Sequence, residues 1–310
     1  MVLEYRLDPL SGQVIIMANE RSARPLILRG EKVTCPFDKG VESLTPPTKL
    51  TLPSRKKWQV RAFDNAFAFL KKRGKFLPRK PDALFWNSPA YGEHEVIVET
   101  DEHGALFHEF SQDRLLLVFE GYRRRFEALS RGKSAKFVYL FKNHGIKAGA
   151  SIEHEHSQIV SLPFIPDEAA REIEISRKAR ECVICMLLGR ERQNILSSNA
   201  SFDAFCPSFS RFPFETRIVA KEHVAGFADF SPAMACDFMS ILRESIARVY
   251  TLVKDYNVVF HNSPRGEDLH FHANIYPRTN VWAGMELGTG VLVNTRTEKE
   301  AIEALRKAMV

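Results

Sequence analysis

Cysteine is scarce in this chain: five residues in 310, an odd number. A large chain with so few thiols does not rest on a disulfide framework. No run approaches the ~20 apolar residues needed to cross a bilayer. The opening residues, MVLEYRLDPLSG, lack the apolar core of a secretory signal, so the expected location is cytoplasmic, with no membrane partner. No nucleic-acid-binding motif is recognisable. The net charge of +6 and pI near 9.0 suit phosphorylated small ligands as well as nucleic acid, and no nucleic-acid partner is expected. The basic triplet Arg123-Arg124-Arg125 falls in a helical pattern and reads as a solvated helix face. What is present, 45% hydrophobic and 26% charged residues, is the composition of an ordinary globular protein. Its length suits one large domain or two of about 150 residues.

The chain repeats itself. The first half contains CPFD (35–38), EVIVETDEH (95–103), a helix-like run from Ser111, and FVYLFKNHGIKAGASIEHEHSQI (137–159). The second half contains CVIC (182–185), TRIVAKEH (216–223), a helix-like run from Ser231, and VVFHNSPRGEDLHFHANI (258–275). The elements recur in one order, with an insertion in the first half after the cysteine motif. Internal repetition of this kind predicts two copies of one supersecondary unit, residues 1–165 and 166–310. The junction is SLPFIPDEAA (161–170), where prolines end a strand and acidic residues open a helix. Ser111 and Ser231 are expected as helix N-caps, with Pro232 at the first helical position. Leu115, Leu116, Phe119, Tyr122, Phe126 and Leu129 form an apolar helix face, and Thr297 with Glu300 a capping box. Alternation in EVIVET and FVYLFKN predicts strands. The expected class is α+β: a mostly antiparallel sheet with packed helices, twice over.

The repeat aligns ligand-type residues. Cys182, Cys185, His223 and His270 form a Cys2His2 set that fills a tetrahedral Zn2+ and leaves no open position, which makes such a site structural. Cys35, Asp38, His103 and His154 take the same stations in the first half, with a carboxylate in place of one thiolate, a harder donor. The competing interpretation is that Cys35 and His103 are merely packed and that CVIC is an apolar helix face. Cys206 and Cys236 fit no ligand pattern and read as buried thiols.

Within SIEHEHSQI (151–159), strand spacing sends His154, His156 and Gln158 to one face and Glu155 to the other. With His154 given to metal, His156 is left as a nucleophile competent toward phosphorus. Asn143, Gly145, Gly149 and Ser151 make a small polar loop able to bring backbone N–H groups and a hydroxyl to a phosphate. Gln158 can donate to a phosphoryl oxygen without a titrating proton, which suits transfer rather than hydrolysis.

NHGIKAGASIEHEHSQI resembles the active-site segment of the galactose-1-phosphate uridylyltransferase family, the H-x-H-x-Q branch of the histidine-triad superfamily. Segments 6–25, 35–38, 86–103, 271–278 and 283–294 resemble that family as well, so the likeness covers nearly the whole chain. It implies two tandem histidine-triad-like domains, the first catalytic and the second structural and sugar-binding. It implies a ping-pong transfer of a nucleoside monophosphate, UMP foremost, between hexose 1-phosphates through a nucleotidyl-His156. By motif position, Arg24 and Asn87 would contact the nucleotide, Asn143, Gly149, Ser151 and Gln158 would hold the phosphoryl oxygens, and Glu286 would bond the sugar. The substrates implied are a nucleoside-diphosphate sugar and a sugar 1-phosphate. A homodimer whose sites borrow residues from the partner is also implied. Three residues depart from the family pattern. Glu155 stands where the best-known members have proline, Asp38 where they have cysteine, and Asn274 where some have a third metal-binding histidine. Three rival readings remain. One is an adenylyl-transferring relative such as an ADP-glucose phosphorylase, with H-S-H-S-Q; another is a histidine-triad hydrolase, disfavoured by Gln158. The third is a zinc protein that binds nucleic acid.

Overall fold

The computed structural model describes residues 2–24, 26, 34–80 and 82–308; Pro25, the last residue of the 6–25 segment, lies outside them. The first half contributes β1 (Leu3–Leu7), β2 (Val14–Ala18), β3 (Thr48–Leu52), β4 (Val60–Asp64), β5 (Asn87–Pro89), β6 (Glu93–Val98), α1 (Gln112–Ser130), β7 (Phe137–His144) and β8 (His156–Leu162). The second contributes α2 (Asp167–Ala179), α3 (Val183–Arg190), β9 (Ile195–Ser198), β10 (Phe202–Phe205), β11 (Thr216–Ala220), α4 (Pro232–Leu252), β12 (Tyr256–His261), β13 (His272–Pro277), α5 (Gly284–Thr289) and α6 (Glu298–Lys307).

Ten strands form one antiparallel sheet in the order β3-β4-β6-β8-β7-β12-β13-β11-β10-β9. Outward from the β7–β12 seam the two halves follow the same path, so the repeat seen in the sequence is a repeat of sheet topology. A small separate sheet, β2-β1-β5, flanks the first half. Within 161–170, β8 ends at Leu162 and α2 starts at Asp167.

Both long helices begin on serine. Ser111 Oγ accepts from Arg114 N–H and Ser231 Oγ from Met234 N–H, each satisfying one of the N–H groups that a helix start leaves unpaired. Thr297 and Glu300 cap α6 reciprocally. On α1, Leu115, Val118, Phe119, Tyr122 and Leu129 are buried, while Leu116 and Phe126 are half-buried. Each fully buried side chain of this size contributes about 1.5–3 kcal/mol. A Cβ on Gly121 would sit 2.9 Å from Val60 Cγ1, so the helix approaches the sheet closely because that position has no side chain. Aromatic side chains from both halves fill a shared core: Phe227 meets Phe119 edge-on and Tyr122 packs on Phe260.

The basic triplet is a solvated helix face only in part, since Arg124 is exposed while Arg125 turns inward with its side chain 14% exposed. Arg123 pairs with Glu120 and Glu127, and Arg124 with Glu120, while Arg125 reaches over the sheet to buried Glu95 at 2.7 Å. Cys206 is buried, but Cys236 is only half-buried, receiving a bond from Gln112 Nε2. Among the described residues no helix is long and apolar enough to cross a membrane.

On the helix-facing side of β7 and β8 lies a buried charged cluster. Lys142 Nζ lies 2.6 Å from Glu99 Oε2 and also contacts Glu155. Glu155 Oε1 accepts from the Phe107 N–H and meets His144 Nδ1 at 3.0 Å. Tyr122 and Ser157 donate to Glu99. Burial alone would raise the Glu155 pKa, but the Lys142 ammonium and His144 hold it well below the usual carboxylate range. Removing one partner of a buried ion pair strands the other charge, at a cost of about 3–5 kcal/mol. Glu155→Gln should therefore lower the urea midpoint by an amount equivalent to roughly that cost. Neutralising exposed Arg124 should move it by no more than about 1 kcal/mol.

Candidate active site

On the opposite face of the sheet a cavity of about 300 Å³ opens between β4, β6, β8 and the 145–153 loop. Its apolar wall includes Phe37, Phe63, Phe67 and Val96; its polar end includes Arg21, Arg24, Gly149, Ser151, His156 and Gln158. An apolar slot ending in convergent cations, an imidazole and an amide fits a flat base joined to a phosphate. Arg21 and Arg24 share one 3-10 turn and its cap. Burial and the neighbouring Arg24 charge both lower the Arg21 pKa, as two cations side by side must. Arg24 Nη2 donates to Gly149 O at 3.2 Å, tying this turn to the glycine loop.

His156 opens β8, and its ring is buried against Phe37, edge to face at 5.2 Å between centroids. Its Nδ1 lies 2.7 Å from the His154 carbonyl. A carbonyl only accepts, so Nδ1 carries the proton and Nε2 keeps its lone pair. Burial lowers the His156 pKa to about 4, so the ring is neutral at physiological pH. Strand alternation sends Glu155 away from the cavity, into the charged cluster behind it.

The glycine loop is held from the other half of the chain. Asp255 Oδ1 accepts from Lys147 N–H at 2.8 Å, and Asn257 Nδ2 donates to Asn143 Oδ1 at 2.8 Å and Ala148 O at 2.9 Å. Asn143 thus stands at the loop's root, its carbonyl engaged, beside the cavity rather than in its wall.

Both expected metal clusters are assembled. The ligand atoms of Cys182, Cys185, His223 and His270 lie within 4.8 Å of one another, as do those of Cys35, Asp38, His103 and His154. Tetrahedral zinc with bonds of ~2.0–2.3 Å requires ligand-to-ligand edges of about 3.3–3.8 Å. The observed separations are 3.2, 3.5 and 3.8 Å in the second half, and 2.9, 3.1 and 3.8 Å in the first. Each anchoring histidine is oriented in the same way. His154 Nε2 donates to Thr100 O and His270 Nε2 to Ala220 O, both at 2.8 Å, leaving Nδ1 to face the cluster. The second-half separations lie at or near the tetrahedral edges. The two Asp38 separations in the first half, 2.9 and 3.1 Å, are shorter and are those of hydrogen bonds, so the second-half donor set is the one spaced for a closed zinc site. CVIC is no loose turn: Cys182 caps α3 and Cys185 lies in its first turn.

The copy in the second half is filled. His272, paired across from Val219 as His156 is from Val98, stacks on His261 at 4.1 Å. Glu172 of α2 reaches His261 Nδ1 at 3.1 Å. Arg217 Nε donates to Asn274 Oδ1 at 2.8 Å, so Asn274 belongs to a hydrogen-bond network.

Of the residues read from sequence, Arg24, Gly149, Ser151, His156 and Gln158 line one cavity. Asn87 does not join them: it is exposed on β5, paired in the small sheet with Arg6. Glu286 also lies elsewhere, on α5, where its carboxylate accepts from the Ala283 N–H. Asn65, Arg21 and the aromatic wall went unread. Asn65 directly follows the strand VRAFD, which β6 separates from β8, so its place beside Gln158 comes from sheet order and no local signal marks it.

The chain's residues 1–166 match the family described as galactose-1-phosphate uridyl transferase, N-terminal domain. It is 28% identical to the galactose-1-phosphate uridylyltransferase of Thermotoga maritima over 330 residues, covering 100% of this chain and 99% of that one. It is 22% identical to the ADP-glucose phosphorylase of Arabidopsis thaliana over 326 residues, covering 98% of this chain and 92% of that one. Among solved structures, an Arabidopsis thaliana ADP-glucose phosphorylase with bound ADP-glucose superposes with a TM-score of 0.79 at 22% identity, over 99% of each chain. A uridylyltransferase superposes with a TM-score of 0.81 at 22% identity, over 98% of each chain. With the cavity, the two histidine-bearing strands and a family match over more than half the chain, this protein belongs to the galactose-1-phosphate uridyl transferase family.

Proposed function

We propose that this protein moves a nucleoside monophosphate, most directly UMP, between hexose 1-phosphates in two steps through a nucleotidyl-His156. The observation that carries the reading is the 2.7 Å bond from His156 Nδ1–H to the His154 carbonyl, which leaves Nε2 as a lone-pair donor beside the cavity. His156 Nε2 would attack the α-phosphorus of a nucleoside-diphosphate hexose. The N–P bond forms as the bond from phosphorus to the bridging oxygen breaks, and hexose 1-phosphate departs. As Nε2 bonds to phosphorus, positive charge develops on the ring, and the His154 carbonyl stabilises it through Nδ1–H. Gln158 and the 145–151 loop would hold the non-bridging oxygens, with Arg24 beside them. A phosphate oxygen of the second hexose 1-phosphate then displaces His156. A glutamine cannot titrate, which favours transfer to phosphate over activation of water.

Residues 1–165 would be the catalytic unit and 166–310 its structural and sugar-binding copy, in a cytoplasmic enzyme. The segment 281–293 supports a homodimer: Val281, Trp282, Leu287 and Val293 are exposed, Val281 almost wholly, and Glu286 lies among them. An apolar run of this kind on a protein surface marks a contact region, and a sugar-binding Glu286 would serve the partner's cavity. Zinc, when bound, would supply a closed scaffold at each cluster: in the first half it would fix His154 and the start of β8 beside His156, and in the second half the start of β13. Adenylyl transfer is the second reading, favoured by the full-length likeness to ADP-glucose phosphorylase.

Incubation with α-³²P-labelled UDP-glucose should leave acid-labile label on the protein. ADP-glucose should label it faster only if adenylyl transfer is the true activity. No label should remain in His156→Gly, and label persisting there would remove His156 as nucleophile. Gln158→Ala should slow labelling by about 10²-fold. Metal analysis should find one zinc for each cluster. Cys182→Ser should lose the second-half ion and lower Tm while the first-half ion stays; full zinc content in that variant would displace the assignment.

A further inference from the structure

An amide side chain has two ends, and only one serves a phosphoryl oxygen. The NH2 of Gln158 donates to it; the carbonyl would repel it. Strand spacing aims Gln158 at the cavity but does not choose between the two flips. Two groups beside it do.

Asn65 Oδ1 accepts from the Phe67 N–H at 2.8 Å, which turns Asn65 Nδ2 the other way, to 3.3 Å from Gln158 Oε1. The Phe69 N–H meets Nδ1 of buried His94 at 3.3 Å. A backbone amide can only donate, so His94 Nδ1 is unprotonated and the neutral ring carries its hydrogen on Nε2. That Nε2 lies 2.8 Å from Gln158 Oε1. The 3.1 Å approach between Asn65 Nδ2 and His94 Nε2 is then the separation of two donors that share one acceptor. Together they use both lone pairs of the Gln158 carbonyl. The Phe69 ring lies on the imidazole, 4.1 Å between centroids, and burial lowers the His94 pKa to about 3, so the ring stays neutral.

We propose that His94 is a positioning residue for the transfer step. Its Nε2–H, with Asn65 Nδ2, captures the Gln158 carbonyl and turns the Gln158 NH2 toward the phosphoryl oxygens. A flipped amide would set its NH2 against two N–H donors, so the arrangement admits one orientation. In the second half the same demand is met differently: the Asn274 carbonyl accepts from Arg217, and its NH2 faces His261 and Tyr276. The inference rests on Gln158 acting as a phosphoryl donor in the reaction proposed above.

The test is a double-mutant cycle read in single-turnover labelling with saturating α-³²P-UDP-glucose, and in parallel with α-³²P-ADP-glucose. His94→Met fills much of the ring's volume without a donor and should slow labelling roughly tenfold, with donor affinity changed less than the rate. His94→Gln places an N–H close to the position of Nε2 and should restore most of the rate. In the Gln158→Ala background, His94→Met should change the rate by less than about twofold, since the group it orients is gone. A purely structural role for His94 predicts instead that its cost is the same in both backgrounds, and that result would overturn the proposal. So would an unchanged rate in His94→Met. If His94→Met does not fold by circular dichroism, the cycle is run with His94→Asn, whose amide falls short of Gln158, and the same two outcomes decide. A wild-type protein labelled by neither donor would remove the transfer reading and this inference with it. A labelled wild type with an additive cycle would remove this inference alone.

Discussion

The antiparallel pairing of β7 with β12, from Leu140 opposite Phe260 to His144 opposite Tyr256, is the constraint on which the rest of the molecule depends. It joins two repeats into one sheet and removes the edge that each would otherwise expose in its middle. It places α1 and α4 on one face over a single core, and it sets Asp255 and Asn257 of one repeat against the glycine loop of the other. Gly145 records how close that approach is. Its φ is +84°, and a Cβ there would lie 2.3 Å from Asp255 Oδ1, so both the backbone conformation and the space require glycine. The loop that faces the cavity takes its shape from a strand more than a hundred residues away.

Strand period divides the HEHSQ motif between two environments. His156 and Gln158 face a cavity with cations at its mouth, whereas Glu155 and Ser157 face a closed, charged interior of Lys142, Glu99, His144 and Tyr122. The carboxylate at position 155 therefore lies on the opposite face of the strand from the His156 ring. Its charge is spent on the Lys142 ammonium and its oxygens on Phe107 and His144. The structure gives Glu155 a place, as an anchor that holds the start of β8 against β7 and the segment before α1.

Features set by local chemistry were legible in the sequence. Serine caps, the capping box, the apolar stripe of α1 and the Cys-x-x-Cys turn depend on near neighbours, and repeat alignment carried the four ligand types of each cluster to one place. Asn65, Arg21 and His94 were not legible, because their partners come from sheet register. Nothing local to EHEVIV reveals that His94 lies beside Gln158, two strands having to pair first. Asn87 and Glu286 lie outside the cavity lining of their own chain. Motif likeness named them; Asn87 pairs with Arg6 in the small sheet, and Glu286 sits on α5.

The second half separates what the strand needs for folding from what it needs for chemistry. His272 repeats the clamp of His156, its Nδ1 lying 3.0 Å from the His270 carbonyl, and His270 repeats the metal-facing orientation of His154. Those features survive in both copies, so the ring geometry that exposes Nε2 follows from anchoring the preceding histidine and is not itself a catalytic adaptation. What differs lies around the ring. Arg217 occupies the station of Val96, His261 stands at that of Asn143, and Glu172 descends from α2 onto both rings. The first copy keeps smaller, uncharged residues there and leaves a cavity; the second fills it with charge. The sheet thus holds a histidine in the same tautomer in both copies, and the two differ in whether space stands open in front of the ring.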